Sequence, residues 1–512
     1  GGGGGYGGNG GDRPGAADYG GPTYGSVTEP SDLGTGGGSS SSSNCMGGGA
    51  AKLFATGTIT LDGTITADGY VGISWTTSGG GAGGSVWIQA GTIAGTGSIS
   101  VIGGNKGNNG GGGAGGRIAI YHTGGDPSQL TLDASGGDGS DHSYSTTDGG
   151  AGTIYLKQTS ETYGELIVDA GVRTLSNYTD MGSVTSQTYD NITVTDGGKL
   201  RIPSGYTLTL NTGGTVTGGG TQEPSITVED GGTLDLSPAG TLDDIAVTNN
   251  GSATLASTLT NQNADWVNTG TIAGVSTFTC NSGNCTNSGV FSGGIHTLNV
   301  GNGGNFKQTS TETLFSGSDL IVESGGTFTQ DNTTTIDVGT VWIKAGGTLT
   351  HSDNSTTTDA VINITAVNVI IESTGTVTTN GLGFDGDSGT GTGTGDATSA
   401  GGAGYGGAGG DGSGAAAGGS TYGSQSAPDD LGSGGGDDTD VGGQQGASGG
   451  GAIKIIASGT FTVNGAITSD GASATGDGGG GSGGSVWLSA DTFNGTCTAI
   501  SADGGAAVDG GG

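Results

Sequence analysis

Residues 57–69 read Gly-Thr-Ile-Thr-Leu-Asp-Gly-Thr-Ile-Thr-Ala-Asp-Gly, and residues 459–471 repeat the pattern as Gly-Thr-Phe-Thr-Val-Asn-Gly-Ala-Ile-Thr-Ser-Asp-Gly. Apolar and polar residues alternate in both stretches, which is the pattern of a strand with one buried face. Asp-Gly and Asn-Gly pairs, which mark tight turns, interrupt the alternation at short intervals. We therefore predict short β-strands separated by sharp corners.

The two stretches belong to a long internal repeat with a period of about 400 residues. Tyr6 matches Tyr405, Lys52 matches Lys454, and the run Gly-Gly-Ser-Val-Trp occurs at both 83–87 and 483–487. A shorter period of roughly 33 residues lies inside each copy, where a glycine run, an apolar strand and a Gly-Thr-Ile continuation follow one another. Repeats of this kind are typical of stacked architectures.

Glycine content divides the chain into three predicted domains. Residues 1–184 form a glycine-rich block of these units, and residues 381–512 form its second copy. Between them, residues 185–380 have fewer glycines and repeat a shorter coil, as in Ile-Thr-Val-Thr-Asp-Gly-Gly-Lys-Leu at 192–200 and Ile-Thr-Val-Glu-Asp-Gly-Gly-Thr-Leu at 226–234.

The pattern favours an all-β fold, a β-solenoid of stacked coils. Only 30% of the residues are hydrophobic, and each coil contributes a few of them to a core that exists only when coils stack. A β-sandwich is the structural alternative, but it does not explain the short period. The glycine runs are either flexible loops at one corner of each coil or ordered polyglycine-like segments that pack against the stack.

Charge excludes several classes of partner. The net charge is −35, with 11 basic residues among 512, whereas a nucleic-acid partner requires basic side chains. We therefore expect no nucleic-acid binding, and no apolar run is long enough for a membrane span. A strongly acidic, weakly apolar composition is typical of secreted proteins, so we expect an extracellular or cell-surface location.

Glycine-rich units such as Gly-Ala-Gly-Gly-Arg-Ile-Ala-Ile at 113–120, together with Asp-Gly-Gly-Thr-Leu coils, resemble those of large glycine-rich parallel β-helix surface proteins of microbes. Autotransporter passengers, adhesins and related surface fibres have this pattern. The resemblance covers nearly the whole chain and concerns pattern and composition. It implies a right-handed parallel β-helix and an extracellular setting.

Four cysteines are too few for a disulfide framework. Cys280 and Cys285 end a short polar loop and are predicted to form an intramolecular disulfide, the alternative being two unlinked thiols. Cys45 and Cys497 lie in the repeated end blocks, where a covalent link between neighbouring copies is a further prediction.

Catalysis is not expected. The adjacent carboxylates Asp243 and Asp244 could in principle serve polysaccharide hydrolysis, but a solvated corner is the favoured interpretation. The four histidines are not paired in sequence with plausible partners; they are His122, His142, His296 and His351.

No cofactor is required by the sequence, although calcium is a candidate. Gly-Gly-X-Gly-X-Asp stretches resemble part of a calcium-binding repeat, yet the following aliphatic position is missing and the copies are not in tandem. The predicted calcium ligands are Asp12, Asp138, Asp141, Asp385, Asp387 and Asp411. Asn-X-Ser/Thr sequons, which a glycosylating host would modify where they face outward, occur at Asn177, Asn191, Asn250, Asn284, Asn332, Asn354, Asn363 and Asn494.

We expect a structural protein, a subunit or segment of an extracellular filament that joins head to tail through its repeat-related ends. Its partner would be a further copy of itself or an adjacent repeat of a longer chain. The second hypothesis is an adhesin stalk or ligand-binding surface module that binds cell-surface glycans. The third is an enzyme that acts on polysaccharides. Thr-X-Thr pairs such as Thr58/Thr60 and Thr207/Thr209 would form a flat ice-binding array if their strands stack in register; outward threonines on exposed strands are the simpler interpretation.

Overall fold

The computed structural model describes residues 1–13, 20–39, 45–73, 77–139, 147–171, 177–311, 317–439, 445–496 and 499–507. Two compact units divide the chain, Gly1–Val275 and Ser276–Gly512. The boundary lies in the glycine-poor middle, so each unit carries one glycine-rich block and part of the shorter coils. Both units consist of β-strands, and the described residues add one turn of 3-10 helix at Pro127–Gln129.

The alternating stretches of the first unit form its strands. These are β1 (Ala50–Thr60), β2 (Thr64–Thr66), β3 (Ser85–Ala94), β4 (Ser98–Ser100), β5 (Arg117–Gly125), β6 (Thr131–Asp133), β7 (Thr153–Gln158), β8 (Glu165–Asp169), β9 (Thr179–Asp180), β10 (Ser186–Thr195), β11 (Lys199–Ile202), β12 (Thr207–Thr217), β13 (Ser225–Val228), β14 (Thr233–Leu236), β15 (Thr241–Asp243), β16 (Ala246–Asn249), β17 (Ser252–Leu255), β18 (Thr258–Gln262), β19 (Trp266–Asn268) and β20 (Thr271–Ala273).

Apart from β7 and β8, strands that follow one another along the chain enter different sheets of this unit. The strand orders are β1-β3-β5-β7-β8-β10-β12-β14-β17-β20, β9-β11-β13-β16-β19, β2-β4-β6 and β15-β18. Equivalent positions of successive repeats therefore stack directly, as Ile226 on Val247 and Val247 on Trp266.

One feature departs from a uniformly parallel stack. Among the named strands of the first unit, β7 and β8 pair in the antiparallel sense and the others pair in parallel; an isolated antiparallel bridge also joins Ser39 and Ser78. A short turn joins these two strands, which is possible for antiparallel neighbours but not for parallel ones. Gly164 adopts a positive φ of 81° at its end, and the Asp190 carboxylate accepts the amides of Tyr163 and Gly164. Strand direction thus reverses where the glycine-rich block meets the shorter coils.

The second unit is built in the same way. Its strands are β21 (Thr277–Asn281), β22 (Asn284–Asn287), β23 (Val290–Ser292), β24 (Thr297–Val300), β25 (Asn305–Gln308), β26 (Asp319–Val322), β27 (Thr327–Gln330), β28 (Ile336–Ile343), β29 (Thr348–His351), β30 (Ile362–Ile371), β31 (Thr376–Thr378), β32 (Ala452–Val463), β33 (Ala466–Thr468), β34 (Ser485–Asn494) and β35 (Ala499–Ser501). Its two main sheets are parallel, with orders β22-β25-β27-β29-β31-β33-β35 and β21-β24-β26-β28-β30-β32-β34.

The core is a narrow column of aliphatic side chains. In the first block, Val86, Ile88 and Ile118 of the long strands are fully buried together with Ile99 of the short sheet. Each strand contributes alternate residues, so the low apolar content is sufficient because stacking aligns them. Burial of one such side chain stabilises the fold by roughly 1.5–3 kcal/mol.

The glycine runs form a second packed layer rather than projecting loops. Successive amides of residues 80–83 donate to three neighbouring segments, through the carbonyls of Gly111, Tyr70, Thr35 and Ala114. A sheet strand bonds to two neighbours, whereas these extended runs bond in several directions, as a polyglycine bundle does. A Cβ on Gly80 would lie 1.7 Å from the carbonyl oxygen of Gly104, so glycine is required here by close approach.

Amide side chains form a buried ladder in the second unit. Asn287, Gln308 and Gln330 occupy equivalent inward positions, followed by His351 on β29. All four are buried, and Asn287 Nδ2 donates to Gln308 Oε1 at 3.1 Å. Because buried amides are costly without partners, this ladder fixes the register of the strands.

Candidate assembly surfaces

The first exposed edge lies in the first unit. We call β1, β2 and residues 47–49 the N-edge. β1 and β2 are the terminal strands of their sheets, so each is paired on one side, β1 with β3 and β2 with β4. Leu53 and Phe54 on β1 are 39% and 65% exposed. An edge strand with apolar side chains is a template for pairing with another chain.

The second exposed edge lies in the second unit. We call β34, β35 and residues 481–484 the C-edge. β34 and β35 are terminal strands, paired with β32 and β33. Phe493 and Ile500 are 53% and 50% exposed on them. The C-edge therefore also presents core-type residues to solvent.

The internal repeat shows what each edge looks like when it is covered. β32 has the sequence position of β1 in the second copy, but it is paired on both sides, with β30 and β34. Its Ile455, the counterpart of Leu53, is fully buried. A Cβ on Gly451 would meet His351, whereas one on the equivalent Gly49 would meet nothing within 4 Å. The N-edge thus corresponds to an interior surface of the repeat, and no described segment covers it here.

The same comparison applies to the C-edge. β3, the counterpart of β34, is paired with both β1 and β5, and its Ile88 is fully buried. Gly7 packs against the carbonyl of Gly116, whereas a Cβ on the equivalent Gly406 would meet nothing within 4 Å. Gly406 instead lines a cleft of about 430 Å³, bounded by residues 403–409, 481–484 and 502–504. A glycine run occupies the corresponding space in the first unit.

A tyrosine–serine pair anchors the glycine layer to the strands in both copies. Tyr6 and Ser85 share a buried hydrogen bond of 2.6 Å, and Tyr405 and Ser485 repeat it at 2.6 Å. Burial raises the pKa of Tyr6 and of Tyr405. Tyr24 packs on Tyr6 with ring centroids 4.9 Å apart, and burial raises its pKa to about 12. These phenols stay protonated and act as donors at ordinary pH.

A fully buried arginine holds the first block together. Arg117 Nε and Nη2 donate to the carbonyl of Tyr24 at 3.2 and 2.9 Å, and Nη1 donates to Thr153 Oγ1 at 2.9 Å. Its guanidinium lies 5.5 Å from the ring centre of Tyr6. Desolvation lowers the pKa of Arg117, yet these contacts replace its water shell.

Aromatic residues stack across the same sheet, from half-buried Trp87 and Tyr121 to buried Tyr155 and Tyr189. Ring centroids lie 6.3 Å apart for Trp87–Tyr121, 5.6 Å for Tyr121–Tyr155 and 6.1 Å for Tyr155–Tyr189. At the N-edge, Lys52 Nζ lies 3.2 Å from the ring centre of Trp87. Lys454 and Trp487 repeat this contact at 4.4 Å, which places a Trp on the C-edge.

The cysteines are placed differently from one another. A disulfide with an S–S distance of 2.09 Å joins Cys280 on β21 to Cys285 on β22. Cys45 is a buried free cysteine, and Cys497 lies outside the described residues, so the link predicted between copies stays a prediction.

The described members of the predicted calcium-ligand set have separate surroundings. In the described part of the chain, no group of three or more His, Cys, Asp or Glu side chains is arranged to hold a metal ion. Asp12 accepts the amide of Gly20, and Asp411 accepts that of Gly418, so these carboxylates close local turns instead. Asp138 and Asp387 are exposed, Asp385 is half-buried, and Asp141 lies outside the described residues.

Three of the predicted glycosylation sites face inward. Asn177, Asn332 and Asn354 are buried, and their amide nitrogens donate to carbonyl oxygens of the chain. A glycan needs an accessible amide nitrogen, so these three are not acceptors in the folded chain. The side chains of Asn284 and Asn494 are exposed, and those of Asn191, Asn250 and Asn363 are half-buried.

The candidate catalytic pair lies on an exposed corner. Asp243 accepts a hydrogen bond from Asn263 at 2.9 Å, and Asp244 has a positive φ of 53°. Hydrogen bonds join His122 to Gly124 O, His296 to Ser276 Oγ and His351 to Ser352 O. His142 lies outside the described residues. Among the described residues, no helix is long and apolar enough to cross a membrane.

Sequence reasoning located both end blocks and their tyrosines but not the serines to which the tyrosines bond. The exposed Phe493 stands at an inward position opposite Phe461, and alternation does not reveal that its strand is terminal. A signal for the tyrosine–serine anchor is present in the sequence, since Tyr6 and Ser85 are 79 residues apart and Tyr405 and Ser485 are 80 residues apart.

No protein-family model matches the chain, and no curated protein or solved structure is detectably similar to it. The resemblance to microbial surface proteins therefore rests on the sequence pattern and stays a prediction.

Proposed function

We propose that this protein is a structural subunit of an extracellular fibre, in which the C-edge of one copy stacks on the N-edge of the next. The observation that carries this proposal is the pair of uncovered edges, each with core-type side chains and each related by the internal repeat to an interior, fully paired strand. A contact between two different surfaces does not close on itself, and it propagates.

The repeat suggests the register of the joint. In the first unit, β3 pairs with β5 so that Val86 lies opposite Ile118 and Ile88 lies opposite Ile120. The same register at the joint places Val486 of one copy on Ala51 of the next, and Leu488 on Leu53. Inward side chains then meet inward side chains.

Outward side chains also match in this register. Trp487 would face Lys52 of the next copy, which continues the Lys–Trp contacts observed inside each block. On the short sheet, Ile500 would cover Ile65, as Ile99 does within the first unit. Burying Phe493 and Ile500 would contribute roughly 1.5–3 kcal/mol each.

The glycine layer supports the same arrangement. Residues 47–49 precede β1 as residues 113–116 precede β5, and both are glycine-rich. At the joint, residues 47–49 of the next copy would pack on residues 481–484 and extend the glycine bundle beside Gly406.

The proposal also includes the handedness of the coils and the location of the protein. We take the parallel coils of the second unit to be right-handed, since parallel crossovers almost always are. An extracellular or cell-surface location is consistent with the Cys280–Cys285 disulfide, because such bonds persist in oxidising compartments.

Sedimentation velocity of the full chain at increasing concentration tests the proposal. The unaltered chain should grow into larger species, whereas Phe54→Lys should remain monomeric because it places a charge on the edge. Val367→Lys is the matched control, since Val367 is 51% exposed on β30, which is not a terminal strand.

A mixing experiment tests direction. Phe54→Lys has an altered N-edge and an intact C-edge. Its C-edge can still bind the N-edge of an unaltered chain, but its own N-edge accepts no further copy. Small amounts should therefore shorten the assemblies. Assembly of Phe54→Lys equal to that of Val367→Lys would contradict the proposed joint.

A further inference from the structure

Threonines form a regular array on one outer face of the second unit. Each of β27, β29 and β31 has two outward positions, and threonine occupies all of them. This surface, the Thr face, consists of Thr327, Thr329, Thr348, Thr350, Thr376 and Thr378.

The array is in register across the strands. Thr327 lies opposite Thr348, and Thr348 lies opposite Thr376. Thr378 lies opposite Thr468 on β33, which extends the array by one strand. Hydroxyls are joined across strands, Thr348 to Thr376 at 3.2 Å and Thr468 to Thr378 at 3.0 Å. These bonds and the stiff χ1 of threonine hold the hydroxyl and methyl groups in fixed positions.

The Thr face is neutral in a protein of net charge −35. Its outward positions carry no charge, and it is bordered by an ion pair of Lys307 with Asp331 at 3.0 Å. The neighbouring parallel sheet of the same unit differs, since its outward positions include Asp319, Ile321 and Trp342. In that sheet β21 carries an outward threonine pair, Thr277 and Thr279, but the next strand β24 carries Thr297 and Asn299, so the pair is not continued across strands.

Two repeat distances describe the array. Neighbouring strands are about 4.8 Å apart, and every second residue along a strand is about 6.6 Å apart. A ligand that contacts all positions at once must itself be periodic, neutral and able to accept and donate hydrogen bonds.

Ice has this chemistry and a similar lattice. Its oxygens are tetrahedrally hydrogen-bonded at about 2.75 Å, which places next-nearest oxygens about 4.5 Å apart and gives an axial repeat of about 7.3 Å. The mismatch of about 0.3 Å per strand accumulates to roughly 1 Å over the three steps from β27 to β33. Along the strand, the spacing of about 6.6 Å is about 0.7 Å shorter than the axial repeat, a difference that does not accumulate because each strand contributes two positions.

We propose that the Thr face binds the surface of ice. The methyl groups order water between the strands, and the hydroxyls bond to that water at spacings close to those of the crystal. A crystalline polysaccharide is a periodic neutral ligand of a different class, but the Thr face carries no aromatic ring on which a sugar could stack.

Thermal hysteresis and inhibition of ice recrystallisation test this inference on the full chain. The unaltered protein should show both activities, and Thr348→Lys should lose them because a bulky charge interrupts the array. Thr297→Lys is the matched control, since Thr297 is a half-buried outward residue on β24 of the neighbouring sheet, and it should retain both activities. Thr348→Val, which keeps the methyl groups, should retain part of the hysteresis.

Circular dichroism of each variant checks the fold. Absence of hysteresis in the unaltered chain, or equal loss in Thr348→Lys and Thr297→Lys, would overturn the inference. Binding to crystalline cellulose or chitin that Thr348→Lys abolishes, without hysteresis, would assign the face to polysaccharide instead. Thr348 takes no part in the proposed joint, so ice binding can be measured and interpreted even if the chain does not assemble.

Discussion

At the scale of single residues, the glycine layer depends on the absence of side chains. Residues 80–83 are surrounded by backbone, and backbone cannot move aside as a flexible side chain can. The close approach of carbonyl oxygens, rather than an unusual φ, is the reason for glycine in these runs.

Gly80→Ala should therefore destabilise the chain by at least about 2 kcal/mol, because its Cβ would lie 1.7 Å from the Gly104 oxygen. Gly240→Ala is the control, since its Cβ would meet nothing nearer than 3.8 Å, and it should change stability by less than about 0.5 kcal/mol. Denaturant unfolding measures both. Equal stability of the two variants would contradict the packed glycine layer.

His351 shows how burial makes one residue sensitive to pH. Desolvation lowers its pKa to about 4, against the opposing hydrogen bond to the Ser352 carbonyl. Its Nε2 accepts the amide of Ala452 at 3.2 Å, which requires the neutral ring.

The unfolded chain binds a proton at this histidine below about pH 6.5, whereas the folded chain does so only near pH 4. Stability from the neutral ring is complete above pH 6.5 and falls between pH 6.5 and 4, at up to about 1.4 kcal/mol per pH unit. His351→Gln should remove this pH-dependent part of the stability. The measurement is the difference in unfolding free energy between the unaltered chain and the variant, which should change between pH 6.5 and 4. A pH-independent difference would contradict it.

At the scale of elements, the buried amide ladder ties adjacent strands to one register. Gln330 Nε2 donates to the carbonyl of Thr334, and its Oε1 accepts the amide of Asn363 at 2.9 Å. The ladder therefore joins β27 to β30 as well as to its direct neighbours.

Gln330→Leu should cost about 1–3 kcal/mol, because it leaves the part-buried backbone amide of Asn363 without its acceptor and removes the buried side-chain amide of the ladder. Asn305→Ala is the comparison, since Asn305 is exposed on β25 and bonds to the exposed Asn284, and its loss should cost less than about 0.5 kcal/mol. Thermal unfolding distinguishes the two variants. A smaller loss for Gln330→Leu than for Asn305→Ala would show that the ladder does not stabilise the stack.

Strand positions were predictable because alternation and Asp-Gly corners are local properties of the sequence. Residues 57–66 lie in β1 and β2 as their pattern predicts. Strand direction is not local, so nothing in residues 153–169 indicated the antiparallel pairing of β7 with β8. The ladder was also missed, because Gln308 and Gln330 stand at inward positions where the pattern predicts apolar residues.

At the scale of the whole molecule, repetition and charge have opposite effects on association. The related edges favour stacking, whereas a net charge of −35 makes copies repel one another. Salt screens this repulsion over about 8–10 Å at physiological ionic strength. The apolar and backbone contacts of the joint are much less sensitive to salt.

Electron microscopy of the concentrated full chain at physiological salt tests end-to-end stacking most directly. We predict uniform unbranched fibres whose reconstruction shows β34 of one copy paired in parallel with β1 of the next, with Leu488 on Leu53. Separate particles at every concentration and salt level, or fibres joined through other surfaces, would contradict the account.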